Sequence, residues 1–147
     1  MGLVMPQNVP DSAELIVLRL ITGSKVSGGC KLRLFSTDLD VTLVTGLHDI
    51  DECTWPGYAA VGPALLWDTY ATDANGKGRA RTKEITYTRA AGAGDPQDVW
   101  GYYITVIIDG AEALLTIVKF AAKKTMTNAG DSFPLVADLL ASNDPLP

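Results

Sequence analysis

The sequence is poor in the side chains that hold metals, build disulfide frameworks or carry out acid–base catalysis. Its 147 residues include two cysteines, Cys30 and Cys53, and a single histidine, His48. Two cysteines are too few for a disulfide framework, and their spacing fits no zinc pattern. We therefore expect a domain that folds around an apolar core without metal support, with its cysteines either free and buried or joined in one bridge.

The chain also lacks a long apolar run and a basic surplus. Its longest apolar stretch, residues 15–21, is interrupted by Arg19 and is shorter than the roughly 20 residues of a membrane span. Twelve basic against seventeen acidic residues give a net charge of -5, whereas proteins that bind nucleic acid usually carry excess positive charge. No secretion or lipidation signal is evident near the N-terminus. We expect no direct partner among membranes or nucleic acids, and a protein kept in the cytosol unless it leaves inside a larger particle.

What the sequence does contain is the patterning of β-strands. Residues 31–35 alternate between polar and apolar, and residues 79–89 place Ile85 and Tyr87 on one face. Residues 99–109 are rich in aromatic and β-branched side chains. Asp109-Gly110 then gives a strong hairpin signal, which predicts residues 112–120 as the antiparallel partner.

Turn-forming residues divide the remainder into short elements. Further strands are predicted over residues 64–70 and 132–140, the second of which also fits a short helix, and a hairpin turn over residues 73–78. Residues 24–29, 90–98 and 125–130 are predicted loops, residues 48–53 a helical turn and residues 55–58 an irregular corner. Six to eight strands at this spacing predict a mainly β fold, an antiparallel β-sandwich or jelly roll.

The N-terminal part has a different pattern. Asp11 and Glu14 have the spacing of a capping box, and the apolar positions that follow predict a short N-terminal helix over residues 11–23, although their β-branched content also fits a strand. We predict a flexible arm over residues 1–10, one β-rich domain over residues 11–141 and a loose tail over residues 142–147.

Two strings invite a chemical interpretation that their surroundings do not support. The donors around His48, in residues 48–53, lie at adjacent positions whose side chains diverge, so an acidic solvated turn is favoured over a metal site. Gly130-Asp131-Ser132 resembles a string found in serine hydrolases, but the chain has no Gly-x-Ser-x-Gly elbow and only His48 to serve as base. We predict a turn that leads into a strand, and neither catalytic residues nor cofactors.

The aromatic side chains are more informative, because such residues in a β protein either fill the core or anchor an interface. Alternation predicts that Trp100 and Tyr102 share one face of their strand, while Tyr103 points to the other. The candidate interface residues are Trp55, Tyr58, Trp100, Tyr102 and Tyr103.

Several short motifs, read in order, resemble those of small virion proteins of tailed bacteriophages. This resemblance rests on a leading Leu-rich segment, an LRLF-type strand, a Gly-Tyr-Ala corner and a Gly-Tyr-Tyr strand. The residues that carry it are Glu14-Leu15-Ile16-Val17-Leu18, Lys31-Leu32-Arg33-Leu34-Phe35, Pro56-Gly57-Tyr58-Ala59, Trp67, Trp100-Gly101-Tyr102-Tyr103-Ile104-Thr105 and Gly130-Asp131.

The resemblance implies a non-enzymatic capsid decoration or cement protein, located in the virion and assembled in the host cytoplasm. Its partners would be the major capsid protein and further copies of itself, with a homotrimer preferred to a dimer. The alternative is a tail or fibre module that binds host surface glycans or a receptor through Trp55 or Trp100. A hydrolase that uses Ser132 and His48 is a third hypothesis, from a different class.

Overall fold

A computed structural model describes residues 26–42, 44–62, 67–72 and 78–141, with side chains for all of these except residues 26–28, 67–72, 78–79 and 140–141. The predicted N-terminal arm, the helix over residues 11–23, most of the turn over residues 73–78 and the tail over residues 142–147 lie outside the described residues. Within these ranges no helix is long and apolar enough to cross a membrane.

The described residues form eight strands, and every pairing between them is antiparallel. Their helical content is one 3-10 turn, Leu47–Asp49, which lies at the start of the helical turn predicted over residues 48–53. The predicted mainly β, antiparallel fold is confirmed. The strands are β1 (Val26–Phe35), β2 (Trp67–Thr72), β3 (Gly78–Thr82), β4 (Ile85–Thr88), β5 (Gln97–Ile108), β6 (Ala111–Met126), β7 (Ser132–Leu135) and β8 (Asp138–Ala141).

The first sheet has the order β1-β5-β6. Its centre is the hairpin of β5 and β6, closed by Asp109 and Gly110 at φ angles of 50° and 82°. Both angles lie in the left-handed region that a two-residue hairpin turn requires, so the predicted hairpin is confirmed. The predicted loop over residues 24–29 is wrong from Val26 onward, because β1 begins there and passes through a register shift between Ser27 and Cys30.

The second layer is an antiparallel ribbon in which β3 and β4 run against β8 and β7, with β2 added beside β3. One strand was predicted over residues 79–89, and one strand or a short helix over residues 132–140, but each segment forms two short strands. The pairing passes from Thr82 opposite Ala137 to Ile85 opposite Leu135, so two residues on one side face one on the other. Such a β-bulge kinks the ribbon and divides each long strand into two.

The core lies between the two layers. Side chains of the first sheet pack against side chains of the ribbon in one buried cluster, as expected for sheets stacked face to face in a sandwich. Tyr102 also links the layers by hydrogen bonds, since its hydroxyl donates to the carbonyl of Asp138 (3.2 Å) and accepts from the N–H of the same residue (3.1 Å). Members of this cluster include Leu32, Leu34, Tyr102, Ile104, Tyr87, Phe133 and Leu135.

The other face of the first sheet is covered by a loop. A second buried cluster, Phe35, Tyr103, Leu114 and Ile117, lies beneath side chains of the segment 36–50. The outer edge of β1 is bordered by residues 51–61, which turn at the corner predicted over residues 55–58. The central strand β5 is therefore largely buried on both faces, and the segments 36–50 and 51–61 lie near the candidate site residues.

Candidate functional site

Three of the five candidate interface residues lie in the core. Trp55, Tyr102 and Tyr103 expose 4%, 5% and 4% of their surface, and Tyr58 and Trp100 are half-buried. This burial favours core packing, the other role considered for these aromatic side chains. A contact between any of the five and a partner stays a prediction, and Trp100 is better exposed for it than the three buried residues.

The hydroxyl of Tyr58 has a structural task. It accepts a hydrogen bond from the backbone N–H of Leu34 (3.0 Å) and donates one to Oε1 of Glu52 (2.8 Å). Burial, together with the neighbouring Glu52 carboxylate, raises the pKa of Tyr58 well above its ordinary value. The phenol therefore remains protonated and holds the corner of residues 55–58 against β1.

Trp100 lies beside two lysine–aspartate ion pairs. The ammonium groups of Lys119 and Lys123 lie 5.4 and 5.5 Å from the centre of its indole ring, within the range of a cation–π contact. Each ammonium group also forms an ion pair, Lys119 with Asp38 and Lys123 with Asp98. The distance from Nζ to the carboxylate oxygen is 2.6 Å in both pairs. The Lys119–Asp38 pair joins β6 to the segment 36–50, and the Lys123–Asp98 pair joins β6 to β5 where their pairing is irregular.

The predicted shared face of Trp100 and Tyr102 is wrong. Trp100 packs against the cluster that contains Tyr103, whereas Tyr102 belongs to the cluster between the layers. The change of face in β5 coincides with a register shift between Val99 and Gly101, where the pairing with β6 is irregular. Strict alternation holds only where a strand is regularly paired.

A second charged network, centred on Arg33, joins β1, β6 and the segment beside β1. Nη1 of Arg33 donates to both carboxylate oxygens of Glu52 (3.0 and 2.8 Å), and Nη2 donates to Oε1 of Glu112 (2.8 Å). Thr105 donates to the same oxygen of Glu112 (2.7 Å). Partial burial tends to raise the pKa of Glu112, but the hydrogen bond from Thr105 and the charge of Arg33 outweigh it and lower the pKa below its ordinary value.

Another structural cation, Arg89, is almost fully buried, with 3% of its surface exposed. Its guanidinium donates to the backbone carbonyls of Gly94 (2.8 Å), Asp95 (3.1 Å) and Met126 (3.0 Å). These bonds fix the loop between β4 and β5 in place. Sequence reasoning missed both arginines as structural residues, and its one usable signal was the position of Arg33 between two leucines that the strand pattern buries.

The fixed loop forms one wall of a cleft of about 520 Å³. The opposite wall is the segment Thr54, Trp55 and Pro56, and a hydrogen bond from the N–H of Thr54 to Oε1 of Gln97 (2.7 Å) joins the two walls. Among the buried side-chain atoms described, Nε1 of Trp55 is a donor without an acceptor. A second, more open cleft of about 370 Å³ lies at the segment 36–50.

The structure describes both strings that were considered for chemistry, the donors around His48 and the string Gly130-Asp131-Ser132. His48 is exposed and lies 3.3 Å from Asp49, and the described residues contain no group of three or more ligating side chains that would hold a metal ion. Gly130-Asp131-Ser132 forms the predicted turn into a strand. Oδ2 of Asp131 accepts from the backbone N–H groups of Thr127 (2.8 Å) and Asn128 (2.7 Å), and β7 begins at the exposed Ser132.

Both cysteines are free thiols, which settles the alternative left open by the sequence. Cys53 is buried and Cys30 half-buried, and burial raises the pKa of each. For Cys53, burial and the nearby Glu52 carboxylate raise the pKa to about 12. The thiolate, which is the nucleophile and the metal ligand, is therefore a minor form at neutral pH.

No protein-family model matches the sequence, and no curated protein or solved structure shows significant similarity to it. Function is therefore inferred from the chain's own residues and from their contacts.

Proposed function

We propose that this chain is a structural protein without catalytic activity, which decorates or cements the capsid of a tailed bacteriophage through protein–protein contacts. The observation that carries the proposal is the use of its charged side chains as ties between elements. Arg33 joins β1 to β6 and to the segment beside β1, Arg81 pairs with Asp138 across the ribbon (2.8 Å), and Arg89 fixes a loop.

A rigid body of this kind suits a protein that reinforces a shell. A pre-organised surface loses little conformational entropy on docking, so more of its contact energy remains as affinity. On a closed shell the same contact is repeated many times, and modest contacts then add up through multivalency. The motifs that resemble tailed-phage virion proteins supply the identity of the shell in this proposal.

The proposed partners are the major capsid protein and further copies of this chain, with a trimer preferred to a dimer. For the trimer we expect light scattering to give three times the 15.6 kDa chain mass. Val44 is a specific candidate for the shell contact, because 80% of its surface is exposed. It lies in the segment 36–50, whose side chains Leu39, Val41, Leu47 and Ile50 are packed onto the first sheet.

Quantitative mass spectrometry of purified virions and of separated tails tests the location. We expect the chain to be as abundant as a shell component, with a copy number comparable to that of the major capsid protein, and to be depleted from the tail fraction. Recovery in the tail fraction alone would contradict the proposal and favour the tail module instead.

Heating shells with and without the added chain then tests reinforcement, and the chain is expected to raise their disruption temperature.

A further inference from the structure

We propose that the chain cleaves its own backbone at the peptide bond between Asp95 and Pro96, in the loop before β5. Both residues are exposed. The nitrogen of a proline in a peptide carries no hydrogen, so it cannot attack the preceding aspartate side chain, and it departs as a basic secondary amine when the bond breaks. Each molecule would react once and without turnover. The event goes beyond shell reinforcement and does not depend on it.

The side chain of Asp95 supplies the nucleophile. It is exposed, and its carboxylate makes no hydrogen bond or ion pair with the described residues. The nearby Asp98, by contrast, accepts hydrogen bonds from Lys123 (2.6 Å) and Thr125 (2.7 Å). The carboxylate of Asp95 belongs to the same residue as the carbonyl carbon that it attacks. Rotation of the side chain therefore suffices to bring the two groups together.

The guanidinium of Arg89 activates the carbonyl group under attack. Its Nη1 donates to the carbonyl oxygen of Asp95 (3.1 Å), and it is held there by hydrogen bonds to the carbonyls of Gly94 (2.8 Å) and Met126 (3.0 Å). Attack on the carbonyl carbon of Asp95 places negative charge on that oxygen, beside a cation that is 3% exposed and already in position. Such pre-organised donors stabilise an oxyanion strongly where water is excluded. The fold therefore supplies an activating group that the unfolded chain lacks.

The reaction balances with one water molecule and no cofactor. A carboxylate oxygen of Asp95 forms a bond to the backbone carbonyl carbon of the same residue, which closes a five-membered cyclic anhydride. The bond from that carbon to the nitrogen of Pro96 breaks, and the nitrogen takes a proton from the solvent. Water then opens the anhydride and leaves two carboxyl groups on Asp95. The products are residues 1–95 and residues 96–147.

The two products are expected to stay together after the cut. Strands that precede the bond pair with strands that follow it, namely β1 with β5, β3 with β8 and β4 with β7. The core between the layers also contains side chains from both sides of the bond, such as Leu32 and Tyr102. Cleavage therefore converts the sandwich into a complex of two chains that separate only on unfolding.

The first test compares the folded chain with the unfolded chain. The purified full-length protein is incubated at about pH 5, either in buffer or at a denaturing concentration of urea, and its products are followed by mass spectrometry. Circular dichroism confirms the state of each sample. We expect cleavage between Asp95 and Pro96 to be at least about tenfold faster in the folded chain, because only there does Arg89 contact the carbonyl.

The chain provides an internal comparison. Asp144-Pro145 is a second Asp–Pro bond in the same sequence, outside the described residues. The two bonds have the same intrinsic chemistry and meet the same solvent in the same tube. We expect the bond after Asp95 to be cleaved about tenfold faster than the bond after Asp144 in the folded chain, and the two rates to converge in urea.

Three variants assign the roles of the residues. Asp95→Ala removes the nucleophile from an exposed position and should abolish the cut. Arg89→Lys replaces the planar guanidinium with a single ammonium group and should slow the cut about tenfold or more, with its fold checked by thermal unfolding. Asp40→Ala, at an exposed aspartate in the segment 36–50, is the matched control and should cleave at the rate of the parent chain.

Any of three results would overturn the proposal: an intact folded chain, equal rates in folded and unfolded chains, or undiminished cleavage of Asp95→Ala. The last would point to a contaminating protease. If Arg89→Lys does not fold, the comparison with urea still decides the role of the fold. All of these measurements use the isolated chain without any shell, so their failure leaves the proposed capsid role standing, and failure of the capsid role leaves the cleavage standing.

Discussion

At Gly101, in the middle of β5, the structure leaves no room for a side chain. A Cβ atom there would lie 2.1 Å from the carbonyl oxygen of Val118 and 2.5 Å from the ring of Phe35. One of these neighbours is backbone of the paired strand, which cannot move without disturbing the sheet. We expect Gly101→Ala to lower the free energy of unfolding by about 3 kcal/mol, measured by urea denaturation.

Gly62 provides the matched control for this substitution. A Cβ atom at Gly62 meets no atom of the described residues within 4 Å, so Gly62→Ala should change stability by less than about 1 kcal/mol. Equal effects of the two substitutions would contradict the close approach of Phe35 and Val118 to Gly101.

Glu112 gives the protein a defined response to acid. Its folded-state pKa lies below the ordinary value of 4.5, so it adds stability above that pH and loses this contribution as the pH falls through the folded-state value. Glu112→Gln should therefore be less stable than the parent chain at pH 7, with the difference shrinking below about pH 4.5. Urea denaturation at a series of pH values measures this directly.

The exposed Glu84 serves as the comparison for Glu112, because Glu84→Gln removes a carboxylate from outside the Arg33 network. A stability difference for Glu112→Gln that stays the same from pH 7 to pH 3 would show that the carboxylate is not held by Arg33 and Thr105.

On the scale of elements, the turn of the β5–β6 hairpin depends on a left-handed backbone. Gly110 has a φ of 82°, and a Cβ atom there meets no atom of the described residues within 4 Å, so the expected cost of a side chain comes from the backbone conformation. We expect Gly110→Ala to destabilise the protein by about 1–2 kcal/mol. Gly110→Asn should cost less, because Asn adopts this conformation more readily. Equal losses for both variants, measured by thermal unfolding, would contradict the turn geometry.

The elements that the sequence predicted correctly are those with local signals. The Asp109-Gly110 turn, the strand at residues 31–35 and the corner at residues 55–58 each depend on a few adjacent residues. The bulge near Thr82 was missed because it arises from pairing between segments about 55 residues apart, where the side-chain pattern of each strand still looks continuous.

The candidate site was less predictable than the fold. The sequence indicated Trp55 as a candidate residue for an interface or for glycan binding. The cleft beside Trp55, however, is shaped by Arg89, a buried cation that fixes the loop wall. Arg89 gives no signal in the sequence, since a charged residue after a strand usually points to solvent. Only the fold brings the carbonyls of Gly94, Asp95 and Met126 around it.

For the molecule as a whole, the proposed capsid role predicts a docking surface at Val44. Val44→Asp places a charge on a side chain that is 80% exposed, so the fold should be unaffected while shell binding weakens about tenfold or more. Val136→Asp, at a side chain that is 41% exposed at the bulge of the ribbon, is the matched control. Sedimentation of purified chain with shells measures both variants, and equal binding by Val44→Asp and the parent chain would exclude this surface.

The central claim, that the chain is a structural component of a capsid, is tested most directly by cryo-electron microscopy of the native particle. The proposal predicts density that fits the two-layered sandwich, repeated over the outer surface of the shell at symmetry-related positions and in contact with the major capsid protein. Density for the chain at the tail alone, or a particle that lacks it, would contradict the claim.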